Sequence, residues 1–331
     1  MAMNLKKYFE FEQKPKKGLA AFEWVIMAYA AITLLIMLFC YTKLQNPEAM
    51  IWGRVRIVAI TIGLWAAYRF IPCRAVMFLR VLVQMLLLGW WYMDTYNINS
   101  LFPNLDHIVA SWDEYLFGFQ PAMVFATKFS QPVLSEFLEI SYASYYPIII
   151  VVCVYYFLMR YHEFEKCCFI ITGAFFTYYL IFDIIPVAGP MYYYPAIGYS
   201  NVAKGVFPAI GNYFTSHLGM MKPPGWTDGI GYQLITSIHG SERPTGAFPS
   251  SHIGITLVSL ILAAKTGSKK LVFSLLPFAI GIFFATVYIR AHYAIDAVIG
   301  LVSGVLFYLL WASVSRCMTG SEKPSRKKLS K

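Results

Sequence analysis

What most restricts the folds open to this chain is a series of eight apolar runs, each near the ~20 residues that carry a helix across a bilayer. They lie at about 23–42, 55–72, 76–96, 138–160, 166–187, 250–266, 270–289 and 292–314. Backbone N–H and C=O groups in hydrocarbon need partners within their own segment. The runs are therefore expected as helices, and the fold class as all-α integral membrane with about eight transmembrane helices. The 331 residues are 58% hydrophobic and only 13% charged. That charged share is about half the share in soluble domains, which excludes a water-soluble fold.

Charge sets the expected orientation. Lys6, Lys7, Lys14, Lys16 and Lys17 precede the first run; Arg69 and Arg74, Arg160 and Lys166, and Lys265, Lys269 and Lys270 then recur in every second connection. Arg316, Lys323, Arg326, Lys327 and Lys328 close the chain on that same side. Basic residues gather on the cytoplasmic side of membrane proteins, so both termini are expected in the cytoplasm, touching anionic lipid. The net charge of +10 belongs to this pattern and not to a nucleic-acid interface. No small-residue cleavage site follows the first run, which reads as a retained span and not a removed signal peptide. The organisation expected is a basic N-terminus with two additional helices (1–75), a six-helix core (76–315) and a basic tail (316–331).

Two longer connections then face outward, at about 97–137 and 188–249. In the first, Leu105 to Phe119 places apolar residues at 105, 108, 109, 112, 116 and 117, the stripe of a helix lying in the membrane interface. The second is rich in Gly, Pro and Tyr, from Pro186 through Met191-Tyr192-Tyr193-Tyr194-Pro195 to Pro223-Pro224-Gly225-Trp226. A connection this long reads as a lid or binding element. The cysteines, at 40, 73, 153, 167, 168 and 317, all fall outside both connections. They imply no disulfide framework, and no metal spacing such as paired CxxC occurs. No metal and no cofactor is expected.

Two clusters carry chemistry. Gly246-Ala247-Phe248-Pro249-Ser250-Ser251-His252 ends the second outer connection and opens the sixth run. Proline near a first helical position, two serines and the open N–H groups of a helix N-terminus attract a phosphate. Tyr288-Ile289-Arg290-Ala291-His292-Tyr293-Ala294-Ile295-Asp296 ends the seventh run and opens the eighth. His292 and Asp296 are four apart, so on one helix face the carboxylate is expected to accept the imidazole N–H and leave the other nitrogen free as a nucleophile. The topology brings both clusters to one surface, where two helix N-termini, two histidines and Arg290 are expected to converge on a phosphate.

These residues resemble the motifs of the type-2 phosphatidic acid phosphatase superfamily, Pro-Ser-x-His followed by His-x-x-x-Asp. Pro249-Ser250-Ser251-His252 and His292 to Asp296 match in order and spacing, and the resemblance covers roughly residues 76–314. It implies that His292 is phosphorylated, that Asp296 supports it, and that His252 protonates the leaving group. Arg290, Ser250 and Ser251 would bind the phosphate; Tyr192, Tyr193, Tyr194 and Arg243 fall in the first-motif or head-group region.

Departures from the phosphatase pattern point to one branch. Ala285-Thr286 stands where the phosphatases place Ser-Arg, and Arg243-Pro244 has Thr236 where their first motif has lysine. The His-Tyr-x-x-Asp form and the Gly-Pro-aromatic connection are more similar to the inositol phosphorylceramide synthases, which move phosphoinositol onto ceramide. The function implied is a metal-independent lipid phosphotransferase with membrane lipids as donor and acceptor. A lipid phosphate phosphatase acting on phosphatidic acid or a related monoester is the alternative within the superfamily. A transporter is the alternative outside enzymes, but the two halves of the chain share no similarity and no pair of Gly- or Pro-broken runs in matching positions. The metal-dependent route to inositol lipids needs an aspartate run beginning Asp-Gly-x-x-Ala-Arg; Asp228-Gly229 continues as Ile-Gly-Tyr.

Overall fold

Every apolar run forms a helix, and the described residues of the computed structural model, 6–240 and 242–318, contain no strand. Of the basic tail, Lys323, Arg326, Lys327 and Lys328 lie outside the described residues. In chain order a short α1 (Lys6–Phe9) leads into α2 (Ala21–Phe39), α3 (Pro47–Phe70) and α4 (Arg74–Asn99). The first long connection folds as α5 (Asp106–Phe117) and α6 (Pro121–Lys128), and α7 (Pro132–Ala143), α8 (Tyr145–Met159) and α9 (Tyr161–Ile184) follow. The second connection holds α10 (Pro190–Ile197), α11 (Tyr199–Ala203) and α12 (Ile230–His239), before α13 (Ser251–Lys265), α14 (Lys269–Tyr288) and α15 (Ala294–Met318).

Six of these, α2, α3, α4, α9, α14 and α15, are long and apolar enough to cross a bilayer, and α7 with α8 makes a seventh if the pair is one span bent by 51°. The remaining run of the eight expected is the shorter apolar α13. α13 is apolar but has only 15 residues, about 22 Å of helix. It packs against α8, α9, α14 and α15. The bend has a cause in the sequence. Pro147 lacks an N–H and its ring conflicts with the carbonyl four residues earlier, at Ala143, where α7 ends.

Buried ion pairs fasten the first helices to the rest. Arg80 on α4 grips Glu23 on α2 through Nε (2.8 Å) and Nη2 (2.5 Å), and Arg54 on α3 reaches Asp94 on α4 at 2.6 Å. All four side chains are buried. Arg54 also explains why α3 begins before the expected position 55: the arginine broke the apolar run but not the helix. Tyr29 on α2 donates to Asp183 near the end of α9 (3.1 Å), which gives that carboxylate a structural partner.

The connections sort to two ends. At one, Glu12 N–H donates to Pro72 O (2.7 Å) and Arg160 Nη2 to Thr266 O (2.9 Å). At the other, Leu105 N–H donates to Pro186 O (2.9 Å), Ala247 N–H to Val187 O (3.0 Å) and Met191 N–H to Arg290 O (2.9 Å). Both motifs therefore sit at the end away from the N-terminal lysines. The close approach of α13 to α15 comes from glycine. A Cβ on Gly300 would lie 2.8 Å from Ser250 O, and one on Gly304 2.8 Å from Gly254 O. This Gly-x-x-x-Gly stripe lets the two motif-bearing helices touch backbone to backbone.

Candidate active site

Ser250 is the N-cap of α13, with extended backbone (φ −63°, ψ 106°), and its N–H donates to Asp296 O (3.3 Å). The Ser250 hydroxyl is buried without a hydrogen-bond partner and no side chain caps the helix. The first turn of α13, carrying Ser251 and His252, is thus an uncapped N-terminus beside a spare hydroxyl, suited to an anion.

His292 lies in the connection between α14 and α15, turned inward by Arg290 in the left-handed region (φ 67°). Its Nδ1 is 2.6 Å from Ala247 O, in the strand of chain that ends at Ser250. A carbonyl only accepts, so the proton belongs on Nδ1 and the lone pair on Nε2. Nε2 lies 3.5 Å from His252 Nδ1, with the two rings at 68°. Burial pushes the His292 imidazole down to about 4, which keeps it neutral at physiological pH.

The expected bond from His292 to Asp296 is corrected. Asp296 Oδ2 is 3.7 Å from Nδ1 and instead accepts Tyr293 N–H at 2.9 Å. Asp296 is the third residue of α15, where a carboxylate bends back to cap its own helix. At 3.7 Å it remains close enough to offset a positive charge arising on the imidazole.

α5, whose apolar stripe (Ile108, Trp112, Leu116, Phe117) is exposed as expected of an interfacial helix, turns two aspartates inward that the sequence reading missed. Asp113 Oδ2 and Oδ1 accept the N–H groups of Ala294 and Ile295, both at 2.8 Å. Asp106 accepts Ala188 N–H (2.7 Å), Gly189 N–H (2.8 Å) and Tyr293 O–H (2.8 Å). The N-terminus of α15 is therefore held by protein carboxylates; of the two helix N-termini expected to face a phosphate, only that of α13 is open. Burial raises both aspartates, Asp113 to about 6.

Tyrosines wall the histidine pair. Tyr142 stacks on His252 at 4.6 Å and Tyr145 packs against it at 4.4 Å. His239, at the end of α12, is buried with neither ring nitrogen hydrogen-bonded among the described residues, 3.9 Å from Glu242. Desolvation pushes His239 down to about 4 and Glu242 up to about 7. Only the Tyr192 hydroxyl of the three adjacent tyrosines is buried and unpartnered; Tyr193 donates to Pro208 O (2.7 Å) and Tyr194 to Gln120 Oε1 (2.5 Å). Arg290 has a buried Nε without a partner among the described residues. Arg243 is exposed and lines a separate hollow with Gln45, Asn97 and Leu218. His217 stacks on Tyr213 at the surface, and His162 is exposed beside Glu163.

No curated protein and no solved structure matches the chain. The signature described as the PAP2 superfamily matches residues 107–310, from the second residue of α5 into α15 and across both motifs. That is more than half of the chain, which therefore belongs to the PAP2 superfamily of membrane phosphatases and phosphotransferases.

Proposed function

We propose that the protein is a metal-independent lipid phosphotransferase that moves a phosphoinositol-type head group onto a ceramide-like lipid alcohol through a phosphohistidine. The observation that carries this reading is the paired geometry of Nε2 of His292 and Nδ1 of His252, 3.5 Å apart, with His292 Nδ1 tied to Ala247 O. In the first half-reaction the Nε2 lone pair attacks phosphorus, the bond to the diacylglycerol oxygen breaks, and that oxygen takes a proton from His252. The anionic phosphodiester entering beside His252 supplies the countercharge that favours its protonated form. Asp296 offsets the charge on the phosphorylated imidazole. In the second half-reaction the acceptor hydroxyl gives its proton to His252 and attacks phosphorus, and the P–N bond breaks.

Transfer is favoured over hydrolysis because His292 is only 3% exposed and tyrosines cover His252; a site so walled admits a lipid hydroxyl from the bilayer more readily than bulk water. A diester is favoured over a monoester because the phosphatase pattern's arginine and lysine are replaced by Thr286 and Thr236, and a singly charged phosphate demands less positive charge. The hydroxyl of Tyr192 and the polar pair His239 and Glu242 offer hydrogen bonds to a polyol head group.

The test is purified protein in mixed micelles with phosphatidylinositol and ceramide. Inositol phosphorylceramide and diacylglycerol should form in equal amounts. Release of free phosphate from phosphatidic acid, with no ceramide-dependent product from any donor, would replace this reading with the phosphatase.

A further inference from the structure

Between α4 and α8, backed by Phe175 of α9, runs an apolar groove of about 340 Å³. Its walls include Phe78, Leu82 and Gly89 of α4 and Tyr146 and Ile150 of α8. From Phe78 to Gly89 it extends about 16 Å, roughly half the ~30 Å of a bilayer's hydrocarbon. Its upper end is joined to the histidines through aromatic rings: Tyr146 lies 4.9 Å from Tyr145, and Tyr145 lies 4.4 Å from His252.

We propose that this groove holds the hydrocarbon chain of the lipid alcohol joined to phosphorus. The proposal rests on the phosphotransferase reading, which puts the departing alcohol on the His252 side and the head group elsewhere. The acceptor alcohol enters where the first alcohol leaves, since His252 serves both, so the groove takes the donor's chain in the first half-reaction and the acceptor's in the second. Glycine at 89 keeps the upper groove wide. A Cβ added there meets nothing within 4 Å, so a larger side chain fills the groove without disturbing the packing.

Full-length protein in phosphatidylcholine vesicles, photolabelled with a phosphatidylinositol bearing a diazirine on its acyl chain, tests this directly. Label is expected on Leu82, Met85 and Ile150 in excess over the hollow lined by Trp24, Ile32 and Trp311 on the opposite helices, a hollow of similar size. Gly89→Phe should lower the groove labelling about tenfold, the effect of displacing about two methylenes from apolar contact, and His292→Ala should leave it unchanged. In turnover, Leu82→Trp should raise KM for a palmitoyl-chain acceptor and spare a hexanoyl-chain one. Equal labelling of the two hollows, label concentrated instead at Ile280 and Phe283, or a Gly89→Phe variant that labels like the parent would overturn the groove assignment. Wild-type protein that labels in the groove but transfers no phosphoryl group would overturn the phosphotransferase reading and leave the chain site standing.

Discussion

At the scale of single residues, the proton on His292 is placed by a backbone carbonyl and the charge nearby by a carboxylate, two tasks that the sequence assigned to Asp296 alone. The spacing of four suggested a shared helix face, but His292 precedes α15 and Asp296 lies in its first turn, so the helical rule does not connect them. His252 and His292 were legible because their motifs have fixed order and spacing. Asp113, Asp106, His239 and Glu242 were not, because each acts across more than forty residues of chain or from a connection without periodicity, and only folding brings them to the site. Asp113 yields a pH test. Burial raises its carboxyl from an ordinary 3.8 to about 6, so the folded chain holds that proton more tightly than the unfolded chain. The stability this contributes is fully present below pH 3.8 and is lost as pH rises through about 6. Melting temperatures measured across that window should therefore fall more steeply with rising pH in wild type than in Asp113→Asn; identical slopes would show that Asp113 is not the titrating group.

Among the helices, the long apolar runs were readable within a few residues because hydropathy alone decides whether a segment enters lipid. Two details within those runs have causes that hydropathy does not carry. α13, shorter than a span, packs against four other helices, and the α7–α8 bend follows from a proline inside an otherwise continuous run. The face of α5 that matters was hidden because apolar periodicity marks the side toward lipid and is silent about two buried carboxylates on the other side. The approach of α13 to α15 sets the distance between His252 and the His292 connection, and it depends on Gly304 having no side chain. Gly304→Leu should reduce kcat by more than about 100-fold while costing about 1–3 kcal/mol of stability, with Gly304→Ala between it and wild type. Turnover and thermal unfolding of the same preparations would check this, and a leucine variant of full activity would refute the packing argument.

For the whole molecule, the alternation of helices puts the motifs at the end opposite the N-terminal lysines, and from the charge asymmetry we propose that this end is the outer one. In a Cys40→Ser background, Thr227→Cys, exposed in the second long connection, should react with an impermeant maleimide in intact cells. The native Cys317, exposed at the end of α15, should react only after permeabilisation; the reverse order would invert the topology. The protein is thus a bundle of apolar helices around a polar pair of histidines walled by tyrosine. We propose that His292 carries the phosphoryl group between donor and acceptor. The P–N bond of a phosphohistidine is lost in acid and survives alkali, so the direct measurement is rapid alkaline quench of protein mixed with phosphorus-labelled phosphatidylinositol, followed by mapping of the labelled peptide. Label is expected on His292, absent in His292→Ala, formed about 10²–10⁴-fold more slowly in His252→Ala, and formed at an intermediate rate in Asp296→Asn. A phosphoenzyme that persists in His292→Ala, or turnover in wild type with label on no histidine at any time, would contradict the account.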